Sequence, residues 1–490
     1  MYTRTSSIRK RYRLFKPSIS TSSYVSDKKS NPPTYTRYTR LIPELAIVYF
    51  FTGRIWSRLH TPFPQQKIDT YIKHGYFETT PAVITDPKLT CRRCLNEQSY
   101  KFVSFHCAKC QKICHYCRHC ITMGRMCSCD ELILWKGTDT RKQKSQVQFA
   151  WSGNLTPHQQ KAANELAHSI LRNRNHLVHA VCGAGKTEIL FAAIYDSLKA
   201  GKRVCVATPR TDVVLELYPR FKQVFQNITI HALYGGAENN AEFAQLVLST
   251  THQLYRFEHA FDVMIVDEAD AFPYTYDEAL QRAVMKAKKA DAPIAFVTAT
   301  PSNQLLNQQK RENWGYSFIA RRFHGYPLPV PRFQSLWNYE KAFQKNKIPQ
   351  KLHTWVKQRL QQNEPFLIFF PTIELMEQAA PLLKKIESTI ESVHSEDPYR
   401  KEKVLELRNE KRKGLLTTTI LERGITIKNV QVAVVGAENP VFTSSALIQI
   451  SGRVGRNVQY PTGDIVFFHH GITMKMDNAR NKILAMNRHE

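Results

Sequence analysis

From residue 155 the chain alternates helix-forming stretches with short apolar runs. LTPHQQKAANELAHSIL (155–171) opens a helix, with Thr156 as N-cap, Pro157 at the first helical position and Gln159 completing a capping box. Apolar runs then recur between helical or polar stretches: HLVHAV (176–181), RVCVATP (203–209), LVLST (246–250), DVMIVD (262–267) and IAFVTAT (294–300). A second series follows: FLIFFP (366–371), ESVHS (391–395), GLLTTTI (414–420), VQVAVVGA (430–437) and DIVFFHH (464–470). Runs that are apolar throughout, set between helices, predict parallel strands covered on both faces. The predicted fold class is therefore α/β, with two tandem lobes at 150–320 and 333–490. YPLPVPR (326–332) and the loosely patterned stretch to about Gln350 read as a linker.

The first 150 residues are patterned differently. Residues 1–40 hold ten Lys/Arg against one acid and little aliphatic content, which predicts a disordered basic arm. Its RKRYR and YTRYTR stretches interleave cations with aromatics, as single-stranded nucleic acid binding requires, although a merely solvated tail fits equally. Residues 41–85 yield no assignable element, and TDTRKQKSQVQ (138–148) reads as a linker. LAIVYFF (45–51) is far short of the roughly 20 residues that cross a bilayer. With no apolar signal segment at the start, a cytoplasmic protein is expected.

Charge and cysteines sharpen the picture. The 490 residues carry a formal net charge of +28, which favours a polyanionic partner: nucleic acid first, an acidic membrane surface second. Of 11 cysteines, nine lie between Cys91 and Cys129. Such clustering in a long chain points to metal rather than disulfides. CRRC (91–94), CAKC (107–110), CHYCRHC (114–120) and CSC (127–129) present knuckles of thiolates suited to tetrahedral zinc. The predicted ligands are Cys91, Cys94, Cys107, Cys110, Cys114, Cys117, Cys120 and Cys129, with Cys127 as the spare. Spacing leaves sequential and nested pairings open. His106, His115 and His119 are weaker candidates, and the intervening Lys and Arg would offset thiolate charge or touch phosphates.

AVCGAGKTE (180–188) follows the first strand and precedes a helix, the setting of a phosphate-binding loop. Gly183, Ala184 and Gly185 would wrap phosphates with backbone N–H groups. Lys186 would reach the β/γ-phosphates of ATP, and Thr187 would bind Mg²⁺. DVMIVDEAD ends a strand in carboxylates: Asp267 for Mg²⁺ and Glu268 to polarise the attacking water. QISGRVGR (449–456) offers Arg453 and Arg456, spaced to share one face of a helix predicted to start there, as cations for the transferring phosphoryl group.

Together these stretches resemble the ordered motifs of superfamily 2 helicases, in which Ala180 commonly stands for the first loop glycine. The resemblance implies two RecA-like lobes. It makes Gln159 the adenine-reading glutamine and ATPRTDVV (207–214) a nucleic-acid backbone contact. Thr298, Ala299 and Thr300 become the link from hydrolysis to strand movement. TTTILERGITI (417–427) would touch both strand and nucleotide, and Gln449, Arg453 and Arg456 would form the arginine-finger motif. The cysteine pattern CxRC…CxxC…CxYCRxCxxMGR, with Trp151 to Gln159 and TTTILERG, closely resembles the ComFA family. That resemblance implies a zinc-containing ATPase stimulated by single-stranded DNA, serving DNA uptake in natural transformation. Its implied partners are a ComFC-type protein and a ComEC-type membrane channel, with peripheral membrane association. A replication-restart helicase of the PriA type, an RNA helicase and a zinc-dependent nucleic-acid-binding protein with a vestigial ATPase are the alternatives.

Overall fold

The computed structural model describes residues 41–137, 146–237, 242–422 and 426–489. The basic arm at 1–40, most of the 138–148 linker and Arg423, Gly424 and Ile425 lie outside these.

The N-terminal module runs α1 (Leu45–Phe51), β1 (Ile55–Ser57), α2 (Gln65–Lys73), β2 (Phe77–Pro81), β3 (Phe102–His106), β4 (Ile113–Cys117) and β5 (Glu131–Trp135). LAIVYFF is thus a core helix, with Ile47, Val48, Phe50 and Phe51 buried. Strands β1, β5 and β2 form a small antiparallel sheet in that order. Pro81 pairs with Glu131, so the whole cysteine region is an excursion between two neighbouring strands. This organises residues 41–85, where short elements and scattered aromatics give no clear period. Those aromatics form the core: Phe77 meets Phe51 and Trp135 edge-on, and Tyr76 stacks on Trp135.

Lobe 1 runs α3 (Pro157–Leu171), β6 (His176–Ala180), α4 (Lys186–Lys199), β7 (Val204–Thr208), α5 (Thr211–Val224), β8 (Ile230–Leu233), β9 (Leu246–Thr250), β10 (Val263–Asp267), α6 (Glu278–Ala287), β11 (Ile294–Thr298), α7 (Asn303–Arg311) and β12 (Gly315–Ile319). The strands form one parallel sheet in the order β8-β9-β7-β10-β11-β6-β12. The predicted capping box is present: Thr156 accepts from the Gln159 N–H, and Gln159 Oε1 accepts from the Thr156 N–H at 2.8 Å.

Lobe 2 runs β13 (Arg332–Ser335), α8 (Tyr339–Gln344), α9 (Gln350–Gln361), β14 (Phe366–Phe369), α10 (Ile373–Lys384), β15 (Glu391–Val393), α11 (Arg400–Arg408), β16 (Gly414–Thr417), β17 (Gln431–Val435), α12 (Ser444–Ser451), β18 (Ile465–His469) and α13 (Met474–Arg488). Its sheet is also parallel, in the order β13-β18-β17-β14-β16-β15. The expected linker up to Gln350 needs correction. Only the proline-rich part connects the lobes; β13 and α8 belong to lobe 2. Edge strand β13 buries little, which hid it from the apolar pattern.

Cationic anchors join the N-terminal module to lobe 1. The buried Arg203 side chain donates to the carbonyls of Thr52 at 3.0 Å and Ala244 at 3.1 Å, beneath the rings of Phe257 and Phe261. Lys286 donates to the carbonyls of Arg93 and Tyr255 at 2.6 and 3.0 Å.

Two buried histidines give the fold an acid limit. Burial pushes both His176 and His231 down to about 4, from an ordinary 6.5. His176 is bridged by Ser169 and Ser317 at 2.9 Å each. Neither ring nitrogen of His231 has a partner among the described residues. The unfolded chain therefore binds more protons between these values. Their contribution to stability is complete above pH 6.5 and is lost as pH falls toward 4. The thermal midpoint should fall across that window, and less steeply in His231→Gln. A midpoint that stays level would contradict the burial.

Candidate active site and metal centres

Parallel α/β sheets offer ligands the crevice beyond their strand carboxyl ends. Here β6 ends in the 181–185 loop, which turns through Gly183 (φ 80°) and Gly185 (φ 71°) into α4. Both glycines are required. A Cβ at Gly185 would also strike the Gln159 amide. Lys186 sits at the first turn of α4, its Nζ 3.5 and 3.4 Å from the carbonyl oxygens of Ala180 and Val181. Thr187 follows it on the same turn. Gln159 donates to the Ala184 carbonyl at 2.8 Å, so its buried amide ties α3 to the loop.

Two strands away, β10 delivers Asp267 and Glu268 to the same edge. Burial, then the neighbouring Glu268, pushes the Asp267 carboxyl up to about 6, while Lys186 opposes that rise. A buried carboxylate facing a lysine suits a cation that restores its charge. Glu268 takes a left-handed backbone (φ 54°), and its N–H donates to Asp267 Oδ1 at 2.9 Å.

A cleft of about 560 Å³ joins these groups to lobe 2. Gln159, Gly183, Gly185, Lys186, Thr187, Asp267 and Glu268 face Gln449, Arg453 and Arg456 across it. That volume falls within the range of small-ligand sites. The glycine turn, helix N-terminus, lysine and paired carboxylates form a donor set matched to a nucleoside triphosphate with Mg²⁺.

The last motif departs from expectation in one respect. QIS is the final turn of α12, which ends at Ser451, so no helix starts there. Arg453 and Arg456 stand on the turn beyond it instead. Gly452 allows this by lying flat against Cys182, where a Cβ would collide. Arg453 is buried and donates through Nε to the Glu422 carbonyl at 2.9 Å. Arg456 Nε donates to the Gly452 carbonyl at 2.8 Å.

Several connecting contacts run through Gln449 and through residues not singled out in the sequence. Gln449 accepts from Cys182 Sγ at 2.9 Å and donates to Asp270 at 3.3 Å, and Asp270 also accepts from the Thr300 hydroxyl. One side chain of lobe 2 thus touches the phosphate loop and the DEAD stretch, which is bonded in turn to the 298–300 segment. Cys182 is a contact of the loop with lobe 2, against both Gln449 and Gly452. Arg210, in the expected nucleic-acid contact ATPRTDVV, pairs with Glu422 at 3.0 Å, and Asp212 pairs with Arg400 at 2.7 Å. Arg322, between β12 and the connection, lies against Gly183 and donates to the lobe 2 carbonyls of Val454 at 3.1 Å, Gly455, and Pro461 at 2.6 Å. Asn487 of α13 braces the connection, bonding the Leu328 N–H at 2.7 Å and carbonyl at 2.9 Å. The partners that meet across the lobes lie more than 100 residues apart and leave no local sequence signal.

The cysteines form two nested groups: Cys91, Cys94, Cys117 and Cys120, and Cys107, Cys110, Cys114 and Cys129. The sulfurs of each group lie within 4.8 Å of one another, with several pairs at 3.7 Å. A tetrahedron with 2.3 Å zinc–sulfur bonds has edges of about 3.8 Å, so either group could hold zinc. Cys127 stands outside both. The histidines also stand apart: His115 bonds Ser104, and His119 bridges Lys101 and Asp277. Hairpin β3–β4 crosses the pattern, carrying Cys117 to the first group while Cys107 and Cys114 serve the second. Arg93 donates to Cys120 Sγ at 3.3 Å through Nε and 3.1 Å through Nη2, offsetting thiolate charge, while Arg92 pairs with Glu258 at 2.7 Å.

Comparison with known proteins agrees with this anatomy. The family described as "Competence protein ComFA N-terminal domain" matches residues 41–134, "DEAD/DEAH box helicase" matches 156–308, and "Helicase conserved C-terminal domain" matches 345–458. Competence protein ComFA of Bacillus subtilis is 42% identical over 88% of this chain and 92% of its own length. Competence protein ComFA of Streptococcus pneumoniae is 38% identical over 82% of this chain and 91% of its own. Dbp5 of S. cerevisiae, solved with RNA and ADP BeF3, superposes with a TM-score of 0.50 at 17% identity, covering 68% of this chain and 92% of that one, which shows the shared helicase fold. No helix among the described residues is long and apolar enough to cross a membrane. The chain belongs to the ComFA family and is a competence-associated, helicase-type ATPase that binds nucleic acid.

Proposed function

We propose that this ATPase is a motor that moves along single-stranded DNA and drives its uptake during natural transformation. The observation that carries this is the division of the cleft: Lys186, Asp267 and Glu268 come from lobe 1, and Gln449, Arg453 and Arg456 from lobe 2. Lys186 and the loop N–H groups bind the triphosphate, and Glu268 orients and polarises the attacking water. Thr187 and Asp267 would hold Mg²⁺, which would neutralise charge at the phosphates. Arg453 and Arg456 stabilise the charge that develops on the transferring group only when the lobes are closed, so turnover is tied to lobe movement. Gln449, on Cys182 and Asp270, reports that closure to the 298–300 segment. Gln159 serves the adenine side, through the amide that already holds the loop.

Zinc in both cysteine groups is part of this reading, as are a ComFC-type partner and a ComEC-type channel at the inner face of the cell membrane. The family assignment and the sulfur geometry support these. ATP turnover measured alone and with single-stranded DNA, duplex DNA or RNA tests the motor. Single-stranded DNA should stimulate most; absence of stimulation by any DNA would overturn it.

A further inference from the structure

We propose that the start of lobe 2 carries a binding site for single-stranded nucleic acid, built from Trp337 and Lys341, Lys345, Lys347 and Lys351. It rests on the reading of the chain as a single-strand motor and adds a subsite no helicase motif covers.

The groove lies where β13 runs out into α8 and α9, and has a volume of about 480 Å³. All four lysines line it, and no carboxylate does. Glu340 is the one acid in the 337–351 stretch and does not line the groove. Lys341, Lys345 and Lys347 are exposed and form no ion pair with a described residue; Lys351 donates to the Ser335 carbonyl at 2.9 Å. Four clustered cations without counter-charge repel one another, and a polyanion relieves that repulsion.

Trp337 gives the site its second property. Leu336 and Tyr339 on either side are buried, yet Trp337 is 71% exposed. Asn338 takes a left-handed backbone (φ 50°) that starts α8 and turns the indole outward. Tyr339 anchors this turn by donating to Glu438 at 2.8 Å and stacking on His470. A lone exposed aromatic needs no explanation. A flat ring ringed by uncompensated lysines is the pairing that stacks an unpaired base while holding its phosphates. Duplex bases are already stacked and cannot use it. A bilayer would want further apolar side chains beside the indole, and among the groove residues only Trp337 is an exposed large apolar one.

Position agrees with this. β13 is parallel to the rest of its sheet, so Trp337 lies at the carboxyl edge shared with the loops after β14, β16 and β17. The loop after β16 carries Glu422, the partner of Arg210. A strand following that edge would pass from the cleft side of lobe 2 outward to the lysine groove.

The test uses the full-length chain and oligothymidylates of increasing length. Trp337→Ala should weaken binding by about 5- to 100-fold for long oligomers, with the shortest bound oligomers unaffected, and Trp337→Tyr should restore most of the loss. Replacing the four lysines with glutamine should lower the salt slope by up to about 3. Turnover without DNA should be unchanged in every variant. Unaltered affinity and slope would overturn the site. So would variants that bind DNA normally but lose flotation with phosphatidylglycerol vesicles, which would make the surface a membrane contact. Failure of the motor reading is separate: it would appear as absent DNA stimulation in the unmodified chain.

Discussion

Lys186→Ala is expected to reduce ATP turnover by at least about 100-fold and to leave binding of single-stranded DNA intact. The structure separates the two effects. Among the described residues the Lys186 ammonium hydrogen-bonds only the loop carbonyls of Ala180 and Val181, at 3.5 and 3.4 Å. Helix α4 is held independently through buried Ile189, Leu190 and Phe191. Removing the amine therefore costs the fold little and takes the main cation from the triphosphate. Arg453→Ala should differ in kind. That residue is buried in lobe 2 and already bonded to the Glu422 carbonyl. Its loss should spare nucleotide binding and cut turnover by about 10³- to 10⁵-fold. Binding of a fluorescent ATP analogue distinguishes them: weakened in Lys186→Ala, retained in Arg453→Ala. Turnover above half the unmodified rate in Lys186→Ala would make the loop structural.

The second large effect concerns the cysteines. Metal analysis should find two zinc ions per chain, and Cys94→Ser and Cys110→Ser should each remove one. Their consequences should be unequal. A structural zinc site contributes on the order of 10 kcal/mol. Cys91, Cys94, Cys117 and Cys120 are fully buried and share a core with Leu254, Tyr255 and Phe257 of lobe 1. Lys286 and Arg93 tie that group into the same contact. Cys94→Ser should therefore lower the unfolding temperature of lobe 1 and impair turnover. Cys107, Cys110, Cys114 and Cys129 form a small separate cluster with Phe105, Tyr116 and Cys127. Cys110→Ser should leave lobe 1 and basal turnover close to normal. Equal losses of stability in the two variants would contradict this division, and a chain without zinc would refute both sites.

Much of the motor was legible because its strands are buried on both faces. All ten apolar runs picked from the pattern are strands, and each lies within the two parallel sheets. The strands that escaped, β8, β12 and β13, lie at sheet edges, where one side meets solvent and the apolar signal is diluted. The phosphate loop and the DEAD carboxylates were readable because they are local in sequence. The nesting of the cysteines was not, since spacing is the same for sequential and crossed pairings until hairpin β3–β4 crosses them. The helix expected to start at QISGRVGR is instead the last turn of α12, for a related reason. The spacing of Arg453 and Arg456 suits a helix, whereas contact of Gly452 with Cys182, far away in the chain, accompanies its end at Ser451.

The way Arg322 and Asn487 hold the connection between the lobes decides what the phosphate loop is joined to. Arg322 is fastened to the carbonyls of Val454, Gly455 and Pro461, and Asn487 fixes both peptide groups of Leu328. The same stretch also grips lobe 1: the Phe323 N–H donates to the Gly183 carbonyl at 2.9 Å, and the Arg322 stem lies against Gly183. The connection is therefore a strap, bonded at once to the phosphate loop and to the turn that follows Arg453. A shift of either lobe would pull on both ends of that strap.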